Sequence, residues 1–391
     1  MAKREKEKSE SAIKIIFSDR HFFAVASIYA GFSLVFSSWI IYIPFLAEKL
    51  NITEGQIGGS LFFAALGSLI MVPVSNKLID YLGVGRQTFI GFLLYGLSLY
   101  GIFYAPNHTM LSFFLFVYGM ISSFFVIALN SLIAAVEKES GKYIMIGSHG
   151  FWSIGGIVGA LIGGYLAGRF KMPLVHTTVL LILLFTFVFI FKNEYYHIKG
   201  EVKTKSNPLS IKSVKPLMVI ALIGMIMMIS EGAIADWSGL YLQKIVLIQP
   251  KYLGFGYAFF SLGMTIGRFS GDKLSHKFGS WKLLSYAFAI SLIGFLFILT
   301  KISIIVFVGF FVVGLGFSVI VPEVYRLASN IDGVRATDGI SIIAATSNIG
   351  VLIGPALLGF IAELTNLFYS FIVLSFAVML ALFISVLRIK K

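Results

Sequence analysis

Long apolar runs recur along the chain, each closed by a short cluster of charges, glycines or prolines. Twelve can be read, at about 21–47, 56–76, 87–105, 109–136, 143–168, 172–191, 216–243, 252–275, 282–300, 302–325, 338–362 and 367–387. About 20 apolar residues cross the hydrocarbon core of a bilayer as a helix, and every run is near or above that length. The alternation of apolar and polar residues that marks a barrel strand is nowhere sustained. The pattern predicts an all-α membrane protein with twelve transmembrane helices. The first run follows a basic tail, as in a signal peptide, but it is too long for an h-region and eleven more spans follow.

One long polar stretch interrupts the series, KNEYYHIKGEVKTKSNPLSIKSVK at 192–215, and it leaves six spans on either side. The chain therefore divides into an N-terminal tail at 1–20, a six-helix bundle at 21–192, a linker at 193–215 and a second six-helix bundle at 216–391. The linker reads as a solvated connection, and its lysines are also suited to touch anionic lipid headgroups. An internal repeat supports the two halves. A shift of 196 lays Gln56–Gly83 over Tyr252–Gly279 with 8 of 28 positions identical, including Gly58/Gly254, Gly67/Gly263 and Gly83/Gly279. A shift of 195 lays Ile154–Ala167 over Ile349–Ala362 with 5 of 14 identical. Two independent offsets, both near half the chain, point to two pseudo-symmetric bundles. Halves of this kind place a substrate site at the repeat interface near the bilayer midplane.

Composition narrows the class further. Hydrophobic residues make up 58% and charged ones 13%, about half the charge that a water-facing surface requires. Cysteine is absent, which removes disulfides, thiolate nucleophiles and thiolate metal ligands together. The net charge of +13 is explained by topology. With the N-terminus inside, 24 of the 31 lysines and arginines fall in cytoplasmic segments and six in outer loops. That asymmetry sets both termini in the cytoplasm and removes the case for nucleic-acid binding. A multi-pass protein of a bacterial inner membrane is the expectation. No nucleotide loop of the GxxxxGK[ST] type occurs, which argues against an ATP-driven pump, and the six scattered histidines offer no metal-ligand spacing. No cofactor or metal is expected.

The loop between spans two and three reads Asn76-Lys77-Leu78-Ile79-Asp80-Tyr81-Leu82-Gly83-Val84-Gly85-Arg86. It resembles the G-x-x-x-D-R-x-G-R-R signature of the major facilitator superfamily. Asp80, Gly83 and Arg86 are kept, while Asn76 replaces the leading glycine and Tyr81 the arginine. In the second half Gly279 and Lys282 persist, but His276 stands where the acid would be. The resemblance covers all twelve spans and implies the major facilitator fold, with the Asp80 carboxylate capping a neighbouring helix and helping to latch the inner side. A simple turn anchor is the alternative. Three strings, GSHGFWSIGG (Gly147–Gly156), SEGAIADWSGLYL (Ser230–Leu242) and SLGMTIGRFSGDKL (Ser261–Leu274), resemble a bacterial branch of uncharacterised permeases distantly akin to fucose–proton symporters. This resemblance implies transport of a small polar solute such as a sugar. The glycines at 155, 159, 163 and 164 resemble an antiporter pattern, but Ala160 replaces its proline, and close helix packing explains them as well.

Ionisable groups inside a bilayer are costly and mark function by default. Span seven holds Glu231 and Asp236. Glu231 lies about 15 residues, hence some 22 Å, from the inner end of its helix, and Asp236 about 7.5 Å further out. Five residues turn a helix by about 140°, so the two carboxylates occupy different faces. Either is a candidate for the proton-coupling acid, and a structural acid is the alternative. Arg268 on span eight pairs with Asp272 four residues on, or serves an inner gate or an anion site. Glu323 and Arg326 at the inner end of span ten read as a gate or a solvated pair. His149 is suited to proton exchange or to a packed hydrogen bond. Asn130 and Asn348 are suited to binding hydroxyls or to bridging helices. Trp39 and Tyr42, Trp152, and Trp237 with Tyr241 supply aromatic faces of the kind on which sugar rings stack.

Together these readings predict a monomeric secondary transporter that imports a small polar solute by alternating access, with a proton as coupling ion. Proton-coupled efflux of drug-like molecules or metabolites is the second reading, and a non-transporting membrane receptor a remote third. An enzyme is not expected, because no nucleophile–base pair and no HExxH motif is present.

Overall fold

Without water to take its amides and carbonyls, a chain in hydrocarbon closes those bonds within each segment, and the apolar runs do so as helices. The computed structural model describes residues 12–142, 144–170, 172–200, 217–331, 334 and 336–389. The expected N-terminal tail up to residue 11 and the linker beyond residue 200 lie outside the described residues. In chain order the helices are α1 (Ala12–Ser18), α2 (Arg20–Ile40), α3 (Ile43–Leu50), α4 (Glu54–Leu82), α5 (Val84–Tyr104), α6 (His108–Ser140), α7 (Met145–Phe170), α8 (Pro173–Ile190) and α9 (Lys192–Tyr195). After the linker come α10 (Met218–Lys244), α11 (Phe255–Phe278), α12 (Ser280–Leu299), α13 (Ser303–Phe317), α14 (Ile320–Ser329), α15 (Ala336–Leu364) and α16 (Leu367–Ile389). No strand occurs among the described residues. Eleven helical segments among them are long and apolar enough to cross a membrane. Helix α11, whose side chains are described only in part, stands where the eighth expected span falls.

Two of the spans read as single runs are divided. The first breaks at residues 41–42, with a proline in the opening turn of α3, where a missing amide costs nothing. The tenth breaks at Ser318–Val319, ahead of the amphipathic α14 with Pro322 in its first turn. Pro73 and Pro355, by contrast, sit inside α4 and α15. Between α4 and α5 Gly83 has φ 82°, and between α11 and α12 Gly279 has φ 74°, a backbone region that side-chain-bearing residues avoid. These two glycines are equivalent in the repeat, so the same turn is built twice.

The chain falls into two compact units. The first comprises the described residues of Met1–Trp39, Phe63–Gly159 and Met172–Thr204. Here α4 and α6 approach until backbones touch. A Cβ at Gly67 would meet the Phe116 carbonyl, and one at Gly119 would meet the Ala64 carbonyl. Helix α7 lies equally close to α2, with Gly155 against the backbone of Ala30 and Gly159 against that of Leu34.

The second unit comprises the described residues of Ile40–Phe62, Ala160–Lys171 and Lys205–Lys391. It repeats the first contact: Gly263 packs on the Phe311 carbonyl and Gly314 on that of Phe260. Segments that precede the linker belong to this unit because their small residues fit its helices. Gly58 of α4 lies against the backbone of Pro355 and Gly359 on α15, and Gly254, just before α11, lies against that of Ala160 and Gly164 on α7. Under the two sequence offsets each of these contacts is the image of the other. Polar bonds flank them. Lys244 Nζ reaches Glu54 at 2.7 Å, Gln243 Nε2 donates to Glu48 at 2.6 Å, and Thr53 Oγ1 donates to Glu363 at 2.9 Å.

Candidate functional site

In the first unit a ring cluster forms around Tyr29 of α2. Tyr29, Phe32 and Phe36 share one face of that helix by their spacing, and the glycines of α7 let its rings come close. The Tyr29 hydroxyl donates to Asn130 Oδ1 on α6 at 2.6 Å, and Asn130 Nδ2 donates to the Val126 carbonyl at 3.0 Å. The His149 ring lies 4.9 Å from the Tyr29 ring, and Trp152 stands edge-on at 6.2 Å. Phe32 and Phe36 complete the wall at 4.5 and 5.9 Å from Trp152. Tyr29 is 3% exposed, Asn130 and Trp152 are half-buried and His149 is exposed. Three of the residues singled out by sequence therefore meet, and Tyr29, which joins them, was missed. Its spacing from Phe32 and Phe36 is the signal that would have found it, although many aromatic residues in such a chain share that spacing.

The remaining aromatic candidates are enclosed. Trp39 donates its indole N–H to the Tyr118 hydroxyl at 2.8 Å, and that hydroxyl lies 2.7 Å from the one of Tyr95, all three rings being buried. Tyr42 and Trp237 are buried, and Trp237 Nε1 has no hydrogen-bond partner among the described residues. Tyr241 donates to the Ile298 carbonyl at 3.0 Å, with its ring 4.3 Å from that of Phe371. No face of these four rings is open to stack on a solute.

The second unit holds the charged cluster. Glu231 and Asp236 on α10 are both half-buried. Glu231 is attracted by Arg268 on α11. Tyr257 of α11, buried and hydrogen-bonded with Ser261, lies in the field of Glu231, Asp236 and Arg268. Tyr257, Ser261 and Arg268 fall at i, i+4 and i+11, one helix face, which is the sequence signal by which Tyr257 is recoverable. A Cβ at Gly232, beside Glu231, would meet open space. Asn348 is exposed on α15. Arg268 thus has a carboxylate on a neighbouring helix; the side chain of Asp272, its expected intrahelical partner, lies outside the described residues.

Near the helix ends, Arg326 binds Glu323 at 2.7 Å and also contacts the Ser275 hydroxyl of α11. Glu323 is only 2% exposed while the Arg326 side chain is 41% exposed, so the pair joins a buried acid to a cation that reaches solvent. Asp80 and Arg86 are both exposed on either side of Gly83, with the Arg86 guanidinium 5.6 Å from the centre of the Tyr196 ring. Close by, the Tyr195 hydroxyl donates to the Val188 carbonyl, and burial pushes its pKa up, so it stays protonated.

Comparison with known proteins agrees with this geometry. The model of the Major Facilitator Superfamily matches residues 22–337 and 248–391. An uncharacterised MFS-type transporter of Yersinia pestis is 28% identical over 340 residues, 86% of this chain and 87% of the relative. The quinolone resistance protein NorA of Staphylococcus aureus is 25% identical over 355 residues, 86% of this chain and 88% of its own. Among solved structures, the nucleoside transporter NupG superposes with a TM-score of 0.76 at 12% identity, covering 94% of this chain and 99% of its own. From the repeated glycine contacts, the helical spans and the family match together, the chain belongs to the Major Facilitator Superfamily and is a multi-pass membrane transporter.

Proposed function

We propose that this transporter imports a small polar solute with a proton, the halves at 21–192 and 216–391 moving as bodies in alternating access. The observation that carries the reading is the charged cluster of the second unit, Glu231 with Arg268 and Tyr257 in the field of both. A carboxylate that is neutral can cross with a moving barrier, whereas a bare charge in hydrocarbon is penalised. Arg268 remains charged throughout, so the cluster of Glu231, Asp236 and Arg268 is neutral when one of its two acids carries a proton and bears a net charge when neither does. Asp236 is the second acid able to carry the proton. The cluster of Tyr29, Asn130, His149 and Trp152 supplies the complementary chemistry, hydrogen-bonding heads set against ring faces, which suits a sugar or a nucleoside. A polar solute is also in keeping with NupG, a nucleoside transporter whose fold this chain shares. The lysine and arginine distribution supports both termini in the cytoplasm, and the proposed setting is a bacterial inner membrane in which the protein works as a monomer.

The second reading, proton-coupled efflux of drug-like molecules, is favoured by the similarity to NorA. A thermal-shift screen of the purified protein against sugars, nucleosides, amino acids and cationic drugs separates the two. Uptake into vesicles is then measured with and without an imposed pH difference. Symport predicts accumulation driven by an inward proton gradient. In Glu231→Gln that stimulation is lost while solute exchange at equal pH continues. Unchanged coupling in both Glu231→Gln and Asp236→Asn would overturn the proposal.

A further inference from the structure

In the first unit two cavities lie on either side of one aromatic ridge. The polar cavity, about 660 Å³, is lined by Asp80, Tyr81 and Arg86 on one wall and by His197 and Lys199 on the other. The apolar one is a shallow, open groove along a single helix, α8, formed by Ile182, Phe185, Thr186, Phe189 and Ile190. The ridge runs from Phe189 to Phe89 at 5.1 Å between ring centres and from Phe89 to Tyr196 at 5.5 Å, and Tyr196 borders the polar cavity. Lys192 Nζ lies 4.8 Å from the centre of the Phe89 ring and 4.3 Å from that of Tyr196, so a cation is held at the crossing point.

The walls are set in advance. Val84 N donates to the Lys199 carbonyl at 3.0 Å and Gly85 N to that of Ile198 at 2.9 Å, strapping the second wall to the start of α5. Gly85 also packs against the carbonyl of the fully buried Tyr195. Because those opening amides of α5 are already bonded, an anion in the cavity has to be recognised by side chains. Tyr81, 86% exposed at the rim, has the amphipathic character of an interfacial residue.

We propose that the two cavities form one phospholipid site, with the phosphodiester of an anionic lipid against Arg86 and Lys199 and an acyl chain along the groove of α8. Arg86, Lys199 and Lys192 outnumber Asp80, which favours a net negative headgroup over a zwitterionic one. The lysine and arginine distribution puts this end of the unit at the cytoplasmic leaflet, where anionic lipid faces it. A free phosphate would satisfy the cations but leave the groove without a function, and this distinguishes the two sources of the same chemistry.

The test is native mass spectrometry of the delipidated full chain with phosphatidylglycerol and phosphatidylcholine of matched chain length. Phosphatidylglycerol should be retained in preference. Each cation removed should lower that retention about five-fold, so R86Q/K199Q loses most of it while R86K/K199R keeps it. Thr186→Trp, which fills the groove, should weaken binding of long-chain phosphatidylglycerol and spare a short-chain analogue. Equal retention of the two lipids, equal retention by wild type and R86Q/K199Q, or displacement of phosphatidylglycerol by an equal concentration of inorganic phosphate would each overturn the proposal.

Discussion

Tyr29 holds Asn130 through a short hydrogen bond from a buried hydroxyl, so its removal has a defined cost. Tyr29→Phe leaves an amide oxygen without its donor, a loss of about 1–3 kcal/mol where no water replaces it. The expected outcome is weaker solute binding, read as a rise in KM with kcat nearly unchanged. Trp152→Ala should act in the same direction by removing a ring face. At this scale the site was only partly legible. Asn130, His149 and Trp152 stand out because polar or indole side chains in apolar runs are rare. Tyr29 and Tyr257 do not, since tyrosine is common in this chain: the partner of Tyr29 lies about a hundred residues away, and the spacing that joins Tyr257 to Ser261 and Arg268 is shared by many residues of a helix. The rings of Trp39, Tyr42, Trp237 and Tyr241 carry the same composition signal, yet packing encloses them. Burial is a property of the assembled fold and leaves no mark on the neighbouring sequence.

At the scale of the helix, the repeated glycines were legible because only glycine permits one backbone to lie on another. Gly67→Val and Gly263→Val place a side chain against the carbonyls of Phe116 and Phe311, and neither carbonyl can rotate away. Each substitution should cost about 1–3 kcal/mol and lower the thermal unfolding midpoint in detergent. Gly232→Ala, which faces open space inside α10, should not lower that midpoint and should stabilise by up to about 1 kcal/mol. The breaks at residues 41–42 and Ser318–Val319 were not legible. Prolines near them differ little in sequence from Pro73 and Pro355, which remain within helices, as membrane helices tolerate where the freed carbonyls find other partners.

For the whole molecule, the span pattern followed from hydropathy, because a bilayer allows few solutions, and the two offsets named glycines whose contacts are repeated. Topology is open to direct measurement: reporters fused to either terminus should both give the cytoplasmic signal. The polar bonds around Lys244, Glu54, Gln243 and Glu48 link the two parts of the chain within one unit, and they were invisible to local sequence reading. Lys244→Gln should destabilise by no more than about 1 kcal/mol, since the pair is partly exposed, and raised salt should reproduce most of that effect.

The contacts of Gly58 with Pro355 and of Gly254 with Ala160 have a mechanical consequence. Small residues let the backbones lie flush, and the polar bonds of Lys244, Gln243 and Thr53 beside them would have to break before the edges could part. The repeat builds this edge twice, so one rule of packing serves both contacts. A side chain on Gly58 or Gly254 would meet a helix carbonyl that cannot turn aside, so either contact is lost when its glycine is replaced.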